Sequence, residues 1–272
     1  MSSKVKKSVL DIVLLIIIFG IGQLGGGVIG GIIGSMFGAL YGGGYMSWTI
    51  SIALVTASLL TILLFIASRY MLTKSHWLEK PDFIAEINLS RLRWWLAPVM
   101  LIATFAGAVA IGCLGQAWGV KDTLEDTMQG LVHNPIGILT VVLFGPLSEE
   151  IIFRHGMLGG MLRRGVNPWI AILVSSLLFG IIHWNPIQVL FASALGVMLG
   201  ILYTKSQSIL PSLIYHIINN SFSVTVMLIA GNTQDPMDDI LDTPPILYSV
   251  AVVAAAISIP LFIYYWRKPT KN

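Results

Sequence analysis

The sequence predicts an all-α fold: a polytopic membrane bundle of about eight transmembrane helices, forming one domain over residues 1–272 with both termini cytoplasmic. Three observations carry this. Hydrophobic residues make up 56% of the chain and charged ones 11%, with a mean hydropathy of +0.83, which no water-exposed surface tolerates. The apolar residues fall in runs of roughly 20, the length that crosses ~30 Å of hydrocarbon, and little of the chain is left over for a soluble domain. Basic residues collect at alternate run ends, and with the N-terminus inside, 14 of the 16 Lys and Arg lie on the cytoplasmic side. Outside falls only Lys121, with Asp122, Glu125, Asp126, Asp235, Asp238, Asp239 and Asp242. The net charge of +3 thus describes a rim that meets anionic lipid and not a nucleic-acid surface.

The expected spans cover 9–38, 46–69, 95–116, 136–162, 167–184, 187–204, 208–231 and 246–266. The first follows Lys4, Lys6 and Lys7 like a secretory signal, but no small-x-small cleavage site follows and the run continues through glycines, so it is expected to stay in place. Gly22, Gly26, Gly30, Gly34 and Gly38 recur every four residues, which builds a groove where a second helix can approach closely. Its 30 residues exceed the bilayer core, which predicts either a strong tilt or a break near Gly25 to Gly27. The segment Thr73 to Arg93 mixes Trp77, Phe83, Ile84, Trp94 and Trp95 with both signs of charge, suiting an interfacial position as a surface helix or as simple aromatic belting. The single Cys113 excludes an internal disulfide and reads as packing.

The fourth to seventh spans carry the chemistry. Ionisable groups in hydrocarbon are costly, so Glu149, Glu150, Arg154, His183 and His216 inside apolar runs read as a functional site. On a helix, Glu150 and Arg154 share a face and form an ion pair, whereas Glu149 points elsewhere, into a cavity, as a base. Pro146 removes a backbone donor and is expected to kink the helix just before the carboxylates. Phe179 lies one turn from His183, and Asn219 and Asn220 share the face of His216. His76 and His133 read as solvated loop residues, and His155 as a helix residue near the cytoplasmic rim.

Glu149-Glu150-Ile151-Ile152-Phe153-Arg154, Phe179 to His183 and His216 to Asn220 match, in order, the E-E-x-x-x-R, F-x-x-x-H and H-x-x-x-N motifs. In these the chain resembles the CPBP family (CAAX protease and bacteriocin-processing, also Abi) of intramembrane proteases, which includes type II CAAX prenyl endopeptidases. The resemblance covers residues 136–231, the expected catalytic core. It implies an endopeptidase of the bacterial cell membrane in which Glu149 and His183 activate water while His216 and Asn220 stabilise the oxyanion. The implied substrate is a membrane-associated peptide, of the prenylated or bacteriocin-precursor kind. A metal-independent mechanism without cofactor is preferred, because the H-E-x-x-H helix of zinc proteases is missing; in the zinc alternative, Glu149, His183 and His216 are the ligands. A transporter should show repeated halves, and an inactive immunity or scaffold protein is free to lose motif residues, yet one complete cluster is present. No G-x-S-x-G elbow supports a serine nucleophile.

Overall fold

The computed structural model describes residues 3–41, 45–74, 97–120, 123–230 and 243–267. Most of the segment Thr73 to Arg93, including His76, lies outside the described residues. The described helices are α1 (Ser3–Tyr41), α2 (Tyr45–Lys74), α3 (Ala97–Ala117), α4 (Glu125–Val132), α5 (Pro135–Arg163), α6 (Pro168–Ile181), α7 (Pro186–Ser206), α8 (Ile209–Ala230) and α9 (Pro244–Arg267), with no strand among the described residues. Seven of them are long and apolar enough to cross a membrane, and the chain is a multi-pass integral membrane protein.

The fifth expected span, 167–184, is the exception. α6 has only 14 residues, about 21 Å of helix, against ~30 Å of hydrocarbon. Asparagine–proline pairs set both its limits. Asn167 caps it by accepting from the Trp169 and Ile170 amides, and Pro168 occupies the first turn, where a missing N–H costs nothing. At the other end Trp184 turns left-handed at φ 55°, and Pro186 opens α7. The buried Asn185 between them pins this turn by accepting from the Thr123 amide at 3.3 Å. The same device starts α5, where Asn134 accepts from the Ile136 and Gly137 amides ahead of Pro135.

α1 is a single unbroken helix of 39 residues, so the expected break at Gly25 to Gly27 does not occur. The glycine groove does form. A Cβ at Gly26, Gly30 or Gly34 would collide with the backbone of Ala57, Ala53 or Thr49 on α2, while Gly27 and Gly31 face open space. These contacts continue the buried stripe Ser8, Asp11, Leu15 and Ile18 up the same face of α1.

α5 is the centre of the molecule. Every residue from Glu150 to Met161 is buried, packed by Leu15 of α1, Phe65 of α2, Phe179 of α6 and Leu199 and Tyr203 of α7. α3 and α9 pair on the periphery, joined by Ser258 donating to the Ala103 carbonyl at 2.7 Å. Arg69, counted above with the cytoplasmic rim, is 7% exposed and bound to Asp11 inside the bundle. His155 is likewise buried and stands edge-on to Phe65, because α5 is surrounded where a peripheral helix would have ended at water.

The groove makes a paired expectation for thermal unfolding in detergent. Gly26→Ala should destabilise by about 1–3 kcal/mol through overpacking, whereas Gly27→Ala should be neutral or gain up to ~1 kcal/mol of helix propensity. Equal effects at both positions would contradict the packing of α1 on α2.

Candidate active site

α5 departs from regular α-helix twice, over Thr140–Phe144 and Glu150–Leu158, where the backbone bonds in the wider π pattern. The sequence explains the first departure. The Gly145 amide donates to the Thr140 carbonyl, one residue beyond the α-helical partner, and the next residue is Pro146, which has no N–H. The Val141 carbonyl is thereby left without either helical donor. Asn220 of α8 supplies the missing bond, its Nδ2 donating to the Val141 oxygen at 2.8 Å. The expected opening of backbone at Pro146 thus takes the form of a π turn, with Asn220 as its partner. Asn219 completes the local network by donating to the Asn220 Oδ1 at 3.2 Å.

The second departure carries the charges. Arg154 Nη1 lies 3.3 Å from Glu150 Oε1, with the two side chains 1% and 0% exposed. This is the expected ion pair, held as a charge contact more than a directed hydrogen bond: among the described residues neither terminal nitrogen of Arg154 has a hydrogen-bond partner. The guanidinium instead lies over the Phe179 ring, 4.2 Å from its centroid, which offsets part of its desolvation. His216 reaches in from α8 between the two glutamates. Its Nδ1 is 3.0 Å from Glu150 Oε1 and its Nε2 is 3.6 Å from Glu149 Oε2. Glu149 therefore does not stand alone, although at 19% side-chain exposure it is the more open of the two carboxylates.

Phe179 joins the remaining motif to this cluster. Its ring stands perpendicular to both His183 and His216, at centroid distances of 5.0 and 5.8 Å, and also packs on Phe153. The shortness of α6 matters here, since its end, with His183, stops within the thickness spanned by its longer neighbours. His183 Nδ1 lies 2.8 Å from the Phe179 carbonyl. A carbonyl only accepts, so Nδ1 carries a proton, which in the neutral ring leaves Nε2 with a lone pair.

The structure thus joins Glu149, Glu150, Arg154 and His216 by direct contacts, brings His183 to them through Phe179, and ties Asn220 to the same helix at Val141. Sequence reasoning did not single out Ser175, whose hydroxyl donates to the Phe153 carbonyl at 2.8 Å inside the π segment. A serine facing inward from an apolar helix was the available signal. Among the described residues no three His, Cys, Asp or Glu side chains are grouped to hold a metal ion, and both nitrogens of His216 already face carboxylates.

A helical membrane protein with ionisable groups gathered at the centre of its bundle is the class that fold and site define. Residues 131–222, which reach from α5 into α8 and hold the whole cluster, match the family described as "Type II CAAX prenyl endopeptidase Rce1-like". The chain is 30% identical over 145 residues to YdiL of Bacillus subtilis (strain 168), named as a candidate membrane peptidase, covering 52% of this chain and 58% of that protein. It is 30% identical over 146 residues to the membrane-embedded CAAX protease MroQ of Staphylococcus aureus (strain USA300), covering 50% of this chain and 58% of that protein. The match thus spans a little over half the length of each relative. No solved structure matches the chain.

The buried pair sets an expectation for stability. Glu150→Gln leaves Arg154 as an unpaired charge and should cost about 3–5 kcal/mol, and the double change Glu150→Gln with Arg154→Gln should recover part of that loss. Thermal unfolding of the three proteins in one detergent checks it, and a double variant no more stable than Glu150→Gln counts against the pair.

Proposed function

We propose that this protein is an intramembrane endopeptidase, hydrolysing a peptide bond of a membrane-associated substrate with water activated at Glu149. The observation that carries the reading is the division between the two glutamates. Glu150 is sealed against Arg154 and His216, whereas Glu149 keeps access to solvent beside the same imidazole. A partly dehydrated carboxylate near a histidine is suited to general-base work. The domain match and the two peptidase relatives support the same class.

In this mechanism Glu149 takes a proton from water as its oxygen attacks the carbonyl carbon. His183 assists, because its Nδ1 is held by the Phe179 carbonyl and its Nε2 lone pair is free to accept from the same water. The oxyanion of the tetrahedral intermediate is met by Asn220, since Val141 uses only one of the two Nδ2 hydrogens. His216 adds positive potential from behind and can turn a ring nitrogen from Glu149 once that carboxylate is protonated. Glu149 then returns its proton to the departing amine as the C–N bond breaks. Glu150 and Arg154 hold the helix in register and touch no substrate atom. The reaction is metal-independent in this reading, and the substrate is a lipid-anchored or precursor peptide that reaches the site from the bilayer.

Two measurements test this. Glu149→Gln keeps the shape and removes the base, so turnover of a membrane-anchored peptide should fall by ~100-fold or more with unfolding temperature unchanged; normal turnover would sink the assignment. Exhaustive treatment with a strong chelator should leave activity intact. Activity lost with stoichiometric zinc and restored on its return would replace the glutamate mechanism by a metal-assisted one.

A further inference from the structure

A second buried charge cluster sits at the other end of α5, outside the machinery described above. Asp11 of α1 is 3% exposed in its side chain and binds two arginines at once, Arg69 Nη1 of α2 at 2.6 Å and Arg164 Nη1, just past α5, at 3.0 Å. The exposed Arg163 is also close enough to Arg69 to repel it. Two guanidinium groups thus share one carboxylate, Arg163 stands beside them donating to the His155 carbonyl at 3.3 Å, and no other acid lies at this end among the described residues. Among the described residues the excess of Arg69, Arg163 and Arg164 over Asp11 is about two positive charges. Arg69 shows the same deficit in its geometry: it is 7% exposed, and its Nε and Nη2 have no hydrogen-bond partner among the described residues. A buried guanidinium with two idle donors is costly unless an acceptor arrives.

We propose that the phosphate group of an anionic membrane lipid docks between the ends of α1, α2 and α5, accepting from Arg69, Arg163 and Arg164. The chemistry fits at both ends of such a ligand. Arginine forks match phosphate oxygens, and the charge deficit equals what one or two phosphate charges supply. Beside the cluster, the same turns of α1 expose Val9, Leu10 and Val13, an apolar flank along which acyl chains can lie and which a free phosphate would not use. The lipid completes the joint between the α1–α2 hairpin, which lies outside the matched residues 131–222, and the helix that carries Glu149 and Glu150.

The test uses the full chain in detergent micelles containing phosphatidylcholine alone, phosphatidylcholine with phosphatidylglycerol, or phosphatidylcholine with inorganic phosphate. Phosphatidylglycerol should raise the unfolding temperature by a few degrees and remain bound in native mass spectrometry, and inorganic phosphate should do neither. Arg164→Gln, at the more exposed edge, should weaken retention of phosphatidylglycerol about fivefold. Asp11→Asn removes the competing carboxylate and should do the opposite, lowering stability in phosphatidylcholine while enlarging the gain from phosphatidylglycerol. A merely structural Asp11 predicts the loss without that gain. Lys205→Gln and Arg267→Gln, at the same end but outside the cluster, should leave the effect unchanged. The proposal is overturned if phosphatidylglycerol does not stabilise the wild type, if inorganic phosphate matches it, if Arg164→Gln retains the full effect, if Asp11→Asn shows no larger gain, or if the control variants lose it equally.

Discussion

The contact on which the rest depends is the one between Glu150 and Arg154 at the centre of α5. Every residue from Glu150 to Met161 is buried, and a helix enclosed on all sides cannot turn a charge toward water. A lone carboxylate or guanidinium there would cost several kcal/mol after relaxation, so each is tolerable only beside the other. Their neutralisation lets a polar centre exist inside the bundle. Its geometry then recruits neighbours: the face of Phe179 from α6 covers the guanidinium, and His216 from α8 meets the same Glu150 Oε1 that Arg154 approaches. Three helices thus converge on one pair of charges, and Glu149 is carried to the same place by its covalent neighbour.

The π-bonded stretches of α5 follow from the same need. A regular α-helix satisfies its own carbonyls and offers nothing to adjacent helices. Around Pro146 and again after Glu149 the pattern widens, and carbonyls at Val141 and Phe153 engage Asn220 of α8 and Ser175 of α6. Each is a hydrogen bond between helices in a medium where apolar contact alone supplies little preference for one neighbour over another. Asn220 thereby has a structural duty besides any role toward substrate, and its two Nδ2 hydrogens allow both.

Much of the site was legible in the sequence because charges in apolar runs are rare. Glu150 and Arg154 four apart, and His216 inside a span, needed no tertiary knowledge. The glycine groove was legible for a similar reason, since its four-residue spacing survives into the contact with Ala53 and Ala57. What escaped was decided by neighbours or by local bonding. Asp11 lies within the first expected span, and nothing in the spacing of that span announces the Arg69 and Arg164 partners that surround it. The length of α6 was hidden because its apolar run continues through Ile182 and His183, while the backbone ends with the Trp184 turn that Asn185 secures from α7. The position of His216 between both glutamates depends on how α8 crosses α5, which no spacing within one helix reports.

The two nitrogens of His216 impose a proton count on the cluster. A neutral imidazole offers one donor and one acceptor, yet ionised Glu149 and Glu150 can only accept. With Nδ1 protonated toward Glu150, a second proton on Nε2 would make Glu149, Glu150, Arg154 and His216 jointly neutral, the Nε2 approach to Glu149 at 3.6 Å being a charge contact and not a hydrogen bond. Of the two carboxylates only Glu149 has access to water. A proton taken up there lets the adjacent ring nitrogen give up its own proton or turn away, whereas protonation of Glu150 would strand Arg154 in the interior. The adjacent pair of identical residues is thus divided into one that keeps access to solvent and one that is sealed against Arg154 and His216.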